Sequence, residues 1–367
     1  MEAAECRILA INPGSTSTKI GLFCNERAIY VATLHHHDDE MNRFQGRPIL
    51  DQQEIRRALI ERDLKDRGHS LKSLAGVVGR GGLLRPLPSG TYRVNRVMLD
   101  ELGRAERGEH ASNIGAFLAN NIAMAAGTQA YVVDPVSVDE WPDRARLSGT
   151  SLFERQCLSH ALNTKAVAKR YAKETGRSYA SLRLIVAHLG SGISVSAHEA
   201  GRMIDVTNSR EEGAFSPDRA GGVPAMQLVN LCFSGRYTAK EIETRLFGEG
   251  GLFSYLRTRD LTEVERRITA GDAKAAAVFD AMIYQIAKEI GAMAAVLGGK
   301  LDVLLITGGM AHSEKLVGRL REFVGWIAPV VLYPGEDELQ AMAEGVLRVL
   351  RGEEAVCELS TIPTCAA

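Results

Sequence analysis

Ile8-Leu9-Ala10-Ile11-Asn12-Pro13-Gly14-Ser15 has a counterpart in Leu184-Ile185-Val186-Ala187-His188-Leu189-Gly190-Ser191. Each stretch is an apolar run, a polar residue and a glycine-serine turn, and each leads into a further strand-like run, Lys19–Cys24 and Ile193–Ala197. Gly14 and Gly190 stand 176 residues apart, about half of the 367-residue chain. A short apolar run that stops at a glycine turn reads as a buried strand. Two such strand–turn–strand units at this spacing point to a duplicated α/β fold, with ligands expected in a cleft between its halves.

Working outward, Ala28–Leu34 and Met203–Val206 supply a third strand to each unit. Leu74–Val78, Ala130–Val133, Val303–Thr307 and Val330–Tyr333 read as further buried strands. Helical periodicity marks Ile49–Arg67, Asn113–Ala126, His160–Lys173, Val223–Phe233, Ala239–Phe247, about Asp272 to Leu297, and Glu336–Leu350. The expected domains are 1–137 together with 337–367, and 138–336. The tail after Glu353 reads as frayed.

Composition narrows the class. A net charge of −1, with lysines and arginines spread along the chain, gives no track for nucleic acid and no basic face for an anionic membrane. The longest weakly polar stretch, Ile283–Leu297, carries Lys288 and Glu289, so a buried helix is expected and not a membrane span. The six cysteines, Cys6, Cys24, Cys157, Cys232, Cys357 and Cys365, form no paired spacing and fit a reducing compartment, so a cytoplasmic protein is expected.

Glycine turns follow several of the strands: Gly79-Arg80-Gly81-Gly82, Gly190-Ser191-Gly192 and Gly308-Gly309-Met310. Without a Cβ, such turns let the backbone approach a phosphate closely. The turn Asn12-Pro13-Gly14-Ser15-Thr16-Ser17-Thr18-Lys19 adds hydroxyls and a lysine, donors suited to an anion. In isolation it would be a polar hairpin. Neither a G-x-x-x-x-G-K-[ST] loop nor a G-x-G-x-x-G turn occurs. His35-His36-His37 before Asp38-Asp39-Glu40 suggests a metal, but neighbours on a strand face opposite ways, and a solvated edge is the expectation.

The runs ILAINPGSTSTKIGLF, VVGRGGLLRPLPSGTYRVN, GEHASN, VDPVSVDE, SHALNTKAVAKRYA, IVAHLGSGISVSAH, FSPDRAGGVP and ITGGMAHSEKL resemble butyrate kinases along nearly the whole chain, and acetate kinases more distantly. The resemblance implies the duplicated two-lobe ATPase fold of the acetate kinase and actin type. The implied reaction is reversible transfer of the γ-phosphate of ATP to a short-chain carboxylate such as butyrate or a branched relative. Acetate or propionate kinase is the alternative, and a non-kinase ATPase or inactive assembly homologue stands behind both.

It implies Arg80, Arg219, His160, Asn12 and Lys19 as catalytic groups. Gly14, Ser15, Ser17, His188, Gly190, Ser191, Gly192, Gly308, Gly309 and Met310 would hold nucleotide phosphates. Asp134 and Glu338 would hold Mg²⁺ with ATP or ADP, and Gly81, Gly82, Ser159 and His110 would border the acyl pocket. A homo-oligomer is implied. A guanidinium forks onto carboxylate or phosphate oxygens and stays charged, so arginines in glycine-rich turns suit such a site. Four departures from the pattern bear on specificity: Ser159 for a phenylalanine, Ser191 for a glycine, a reshaped Asn208–Glu212, and Thr258-Arg259-Asp260. With Gly81 and Gly82 after Arg80, Ser159 is expected to widen the pocket and favour longer chains over acetate.

Overall fold

The computed structural model describes residues 5–37, 41–44 and 46–361. Among them the strands, in chain order, are β1 (Arg7–Pro13), β2 (Ser17–Cys24), β3 (Arg27–His35), β4 (Gly76–Arg80), β5 (Thr91–Arg93), β6 (Gln129–Val133), β7 (Arg183–Leu189), β8 (Ile193–Glu199), β9 (Arg202–Val206), β10 (Val303–Gly308), β11 (Val330–Pro334) and β12 (Cys357–Glu358). The helices that position the site are α1 (Gln53–Asp66), α2 (Arg96–Arg104), α3 (Asn113–Ala126), α4 (Ala161–Glu174), α5 (Ala225–Cys232), α6 (Ala273–Val296), α7 (Glu314–Val324) and α8 (Glu338–Leu350).

The chain divides into two compact units, Met1–Val138 with Asp337–Ala367, and Asp139–Glu336. In the first, the strand order is β12-β5-β6-β4-β1-β2-β3; in the second it is β11-β10-β7-β8-β9. The same topology occurs twice. β1 pairs antiparallel with β2 and parallel with β4, and β7 pairs antiparallel with β8 and parallel with β10. Leu9 lies beside Val77 and Ile185 beside Leu304, so the repeat equates Asn12 with His188 and Gly81-Gly82 with Gly308-Gly309.

The reason is burial on both faces. β1 and β4 are central and parallel, so their residues are almost all buried and read as continuous apolar runs. β3 is an edge strand and is mostly exposed. In the first unit α1 and α3 cover one face of the sheet, with Leu9, Ile11, Val77, Ile114, Leu118 and Ile122 in one core. α8 packs on β1, β2, β4 and β6 with Met342 and Val346 fully buried, each contributing about 1.5–3 kcal/mol. Gly345 makes that approach possible, because a Cβ there would lie 2.7 Å from Val133. In the second unit α6 packs on β7 and β8, and α4 on β7 and β10. Asn95 and Asp272 cap α2 and α6 through side-chain oxygens that accept from Met98 N and Ala275 N.

Several elements differ from the sequence expectation, which also gave no helix at Gly251–Leu256 or Leu261–Thr269. β5 and α2 lie in a stretch with no clear period. From Glu353 to Thr361 the tail is not frayed: β12 pairs in parallel with Tyr92 and Arg93, and Asn95 Nδ2 donates to Leu359 O at 2.8 Å, while residues 362–367 lie outside the described residues. A two-residue strand carries no periodicity, so only its partner reveals it. The cysteines Cys6, Cys24, Cys157, Cys232 and Cys357 are free thiols, and Cys365 lies outside the described residues. No helix among the described residues is long and apolar enough to cross a membrane.

Candidate active site

In open α/β sheets ligands gather at the carboxyl ends of parallel strands. In the first unit β1, β4 and β6 end side by side, with Ile11 beside Gly79 and Arg80 beside Val133, so Asn12, Arg80 and Asp134 share that edge. α3 lies so close to β4 that a Cβ on Gly79 would fall 2.0 Å from Gly115 O. The Arg80 backbone packs directly on α3, since a Cβ on Gly115 would lie 2.2 Å from Arg80 O. Arg80 is 6% exposed and places Nη2 3.3 Å from Glu338 Oε1. Asn12 Nδ2 donates to Glu338 Oε2 at 2.6 Å. Arg80 Nη1 is buried with no hydrogen-bond partner among the described residues. An orphaned donor on a buried cation asks for an anion.

Asp134 follows β6 in the left-handed region at φ 37° and is almost fully buried. Its Oδ1 accepts from Ser89 Oγ at 2.6 Å and from Gly90 N at 2.8 Å. Backbone in that region is uncommon for a non-glycine residue and gathers at functional sites. Lys19 pairs across the strands with Asn12, shares its face and is exposed. His110 Nδ1 accepts from Ser112 N at 3.2 Å and lies 2.7 Å from Ser112 Oγ, which orients the ring at the start of α3.

Gly81 and Gly82 do not border open space. A Cβ on Gly81 would meet Pro135 at 2.5 Å and Val132 at 2.6 Å, and one on Gly82 would meet Asn113 Oδ1 at 2.4 Å. These glycines let β4 pack against α3 and Pro135, so the volume expected there is filled by neighbours.

In the second unit His188 ends β7 beside Thr307 of β10 and is buried. Its Nδ1 lies 3.0 Å from Asn163 Oδ1, and its Nε2 3.1 Å from Glu336 Oε1. His160, at the N-terminus of α4, stacks on His188 with ring centroids 3.9 Å apart and planes 12° from parallel. His160 Nδ1 lies 3.0 Å from Ser194 Oγ. The pair is thus fixed by one stacking contact and by Asn163, Ser194 and Glu336.

The Gly190-Ser191-Gly192 turn closes through Gly190 N to Gly192 O at 3.1 Å. The Arg219 guanidinium rests against it: a Cβ on Gly192 would lie 2.4 Å from Nη1. Ser216 Oγ donates to Ser191 O at 2.5 Å, which ties the Ser216–Arg219 turn to this hairpin. Arg219 Nη1 donates to Ser209 O and Ser209 Oγ, both at 3.0 Å, and the guanidinium lies 4.6 Å from the Phe247 ring. Burial lowers the Arg219 pKa, with Asp218 opposing, and burial raises that of Asp218.

Gly308 has φ 92°, and a Cβ on it would lie 2.3 Å from Leu189 O; above Gly309 no atom lies within 4 Å of a Cβ. The Met310 side chain belongs to the hydrophobic core, which leaves only its backbone for a ligand. Ser159 is buried with its hydroxyl 3.8 Å from Met203 Sδ. Asp260 caps the helix Leu261–Thr269 by accepting from Thr262 N, and Arg259 lies 3.9 Å from the Phe253 ring.

The histidine triplet is not a solvated edge throughout. His36 is buried and lies 2.9 Å from Thr18 Oγ1, while His35 and His37 are exposed. Burial first, then Arg56 and His35, lower its pKa to about 4. Asp38, Asp39 and Glu40 lie outside the described residues. Among the described residues no group of three or more His, Cys, Asp or Glu side chains is gathered to hold a metal. Sequence reading also passed over Arg56, Asn163, Ser194, Ser209 and Glu336. Ser209 lies within the Asn208–Glu212 segment and Glu336 follows Pro334-Gly335, but only packing shows what each of these side chains meets.

Duplicated sheets with donors gathered at their carboxyl ends suit a phosphotransferase, and comparison with known proteins gives the class. Residues 153–325 match the acetokinase family. Butyrate kinase 2 of Clostridium acetobutylicum is 49% identical over 349 residues, which is 95% of this chain and 98% of that protein. The solved acetate kinase of Porphyromonas gingivalis superposes with a TM-score of 0.76 at 18% identity, over 93% of this chain and 99% of that one. That of Entamoeba histolytica gives 0.74 at 16% identity, over 92% and 98%. At such identities the two structures speak for the fold. The chain belongs to the acetokinase family, and its fold is that of the acetate kinases.

Proposed function

We propose that this protein is a carboxylate kinase that transfers the γ-phosphate of ATP to butyrate or a branched short-chain relative, giving an acyl phosphate and ADP, reversibly. The reading is carried by the buried Arg80 guanidinium with its unpartnered Nη1, set in a chain that matches a butyrate kinase over 95% of its length.

A carboxylate is already a nucleophile at neutral pH, so no general base is required. Its oxygen attacks the γ-phosphorus in line, a new P–O bond forms, and the bond to the β-bridging oxygen breaks with its electron pair leaving on ADP. Catalysis is then positioning and neutralisation of charge on the phosphoryl group in flight. Arg80 holds the carboxylate, Arg219 and His160 face the transferring oxygens, and Asn12 and Lys19 add donors. The hairpins at Gly14–Ser17 and Gly190–Gly192, with Gly308-Gly309, cradle the nucleotide phosphates.

Mg²⁺ is normally held by one or two carboxylates together with phosphate oxygens. Asp134 fits: it is buried, and both its hydrogen-bond donors fall on one oxygen. Glu338 fits less well, because Asn12 and Arg80 engage both of its oxygens. When bound, the ion would neutralise phosphate charge. We also place the protein in the cytoplasm as a homo-oligomer. α5 leaves Met226 69% and Val229 45% exposed, and Phe233 beyond its end is 87% exposed, a candidate contact.

A hydroxamate assay with ATP and acetate, propionate, butyrate, isobutyrate and valerate tests the reading. Butyrate, isobutyrate or valerate should give the highest kcat/KM, and acetate the lowest. Phosphate release independent of carboxylate would make the protein an ATPase, and absence of any turnover would make it an inactive homologue.

A further inference from the structure

Arg56 lies on α1, outside every motif discussed so far, and is completely buried. Among the described residues its guanidinium has no carboxylate partner. Nε and Nη2 donate to Gln52 Oε1 at 3.1 and 2.8 Å. Every other bond goes to the hydroxyl-rich hairpin between β1 and β2: Nη1 to Gly14 O at 2.9 Å, to Thr18 Oγ1 at 3.0 Å and to Ser17 O at 3.5 Å, and Nη2 to Ser15 O at 3.3 Å. Thr18 Oγ1 in turn contacts His36, whose own backbone N donates to Thr16 O at 3.0 Å.

A trans peptide sets the direction of its amide. The N–H of each residue points opposite to the C=O of the residue before it, and no cis peptide occurs among the described residues. Drawing the Gly14 and Ser15 carbonyls inward to Arg56 therefore turns the Ser15 and Thr16 amides outward. Both residues are exposed, and neither amide meets an acceptor among the described residues. Successive outward amides form an anion-binding concavity, here backed by a buried positive charge that no acid among the described residues neutralises. Burial lowers the guanidinium to about 10, so it remains charged at neutral pH.

We propose that Arg56 is a positioning residue that aims the Ser15 and Thr16 amides at a phosphate of the nucleotide. The inference rests on the reading of this hairpin as a phosphate-binding turn. Lysine at this position would keep the charge but could not bridge Gly14, Ser15 and Thr18 at once, since it lacks the planar fork.

The test uses the full chain with Arg56→Met, Arg56→Lys and Ser15→Pro, each checked for cooperative thermal unfolding. ATP binding is measured by calorimetry, and KM for ATP and for butyrate by steady-state kinetics. Arg56→Met should weaken ATP binding and raise its KM at least tenfold, leave KM for butyrate within twofold, and be only partly restored in Arg56→Lys. Ser15→Pro, which deletes an outward amide and leaves Arg56 in place, should weaken ATP binding in the same way. If Ser15→Pro weakens ATP binding and Arg56→Met does not, the positioning role is wrong. A comparable loss toward ATP and butyrate in Arg56→Met would also overturn it, as a merely structural effect. If Ser15→Pro leaves ATP binding intact, the hairpin reading itself fails. Should neither Arg56 variant fold, Gln52→Leu, which removes only the acceptor steering the guanidinium, must still raise KM for ATP selectively, and failure to do so refutes the proposal.

Discussion

Replacing Gly192 with alanine should separate turnover from stability. The added Cβ would lie 2.4 Å from Arg219 Nη1 and 2.7 Å from Cζ, about 1 Å inside an ordinary contact. The β7–β8 turn is closed by its own hydrogen bond, so the flexible guanidinium yields first. Moving it about 1 Å stretches both bonds from Nη1 to Ser209, each now 3.0 Å. Weakening two bonds of a charged donor costs about 1–3 kcal/mol, offset by about 0.4–1 kcal/mol from replacing a glycine in the unfolded chain. The net loss is about 1–2 kcal/mol, or a Tm lower by roughly 2–8 °C for a unit of this size. A 1 Å misplacement of a catalytic group costs on the order of 10² in rate. The variant should therefore fold, bind ATP and lose about a hundredfold in kcat in the hydroxamate assay. Gly318→Ala on α7 is the control, since a Cβ there meets nothing within 4 Å, and it should be neutral or slightly stabilising. If Gly192→Ala keeps kcat within twofold of the parent, Arg219 is not held in place by this turn or does not act in transfer.

Asp134→Asn keeps the shape that Ser89 and Gly90 grip but removes the charge; a Mg²⁺ titration of turnover should shift to higher concentration, and curves that overlay would leave Asp134 structural. His36 has its pKa lowered to about 4 by burial, then by Arg56 and His35, so the unfolded chain takes up its proton first as pH falls. Its contribution, up to about 3 kcal/mol, is complete above about pH 6.5 and lost as pH falls toward 4. Urea titrations across that window should show a flatter pH dependence in His36→Gln, and an unchanged slope would mean that His36 is not buried neutral. Gly82→Ala should cost about 1–3 kcal/mol by overpacking against Asn113 without reordering acyl preference, measured by calorimetry and the carboxylate series. A selective loss of butyrate with unchanged Tm would show that Gly82 borders the pocket after all.

The doubling was legible because its signal is local: an apolar run, one polar residue and a glycine-serine turn, written twice at Ile8–Ser15 and Leu184–Ser191. Strands buried on both faces cannot hide such runs, and the repeat then fixes that Asn12 and His188 end equivalent strands. The arginines Arg80 and Arg219 were legible for a similar reason, since a charge in a glycine-rich apolar turn is out of place unless something uses it. Packing decided the rest. Gly81 and Gly82 read as missing volume, whereas Pro135, Val132 and Asn113 occupy it, because a glycine says only that a side chain is absent and not what stands there instead. Arg56 reads as one more arginine on a polar helix, and β12 as a loose tail, until the partners arrive from 42 and 265 residues away. Sequence determined which backbone turns occur and which strands are buried, because those follow from side-chain period and from glycine's freedom. Tertiary structure alone decided which charge is left unpaired, which carbonyls turn inward and which glycine is filled, because each depends on atoms that only folding brings within about 3 Å.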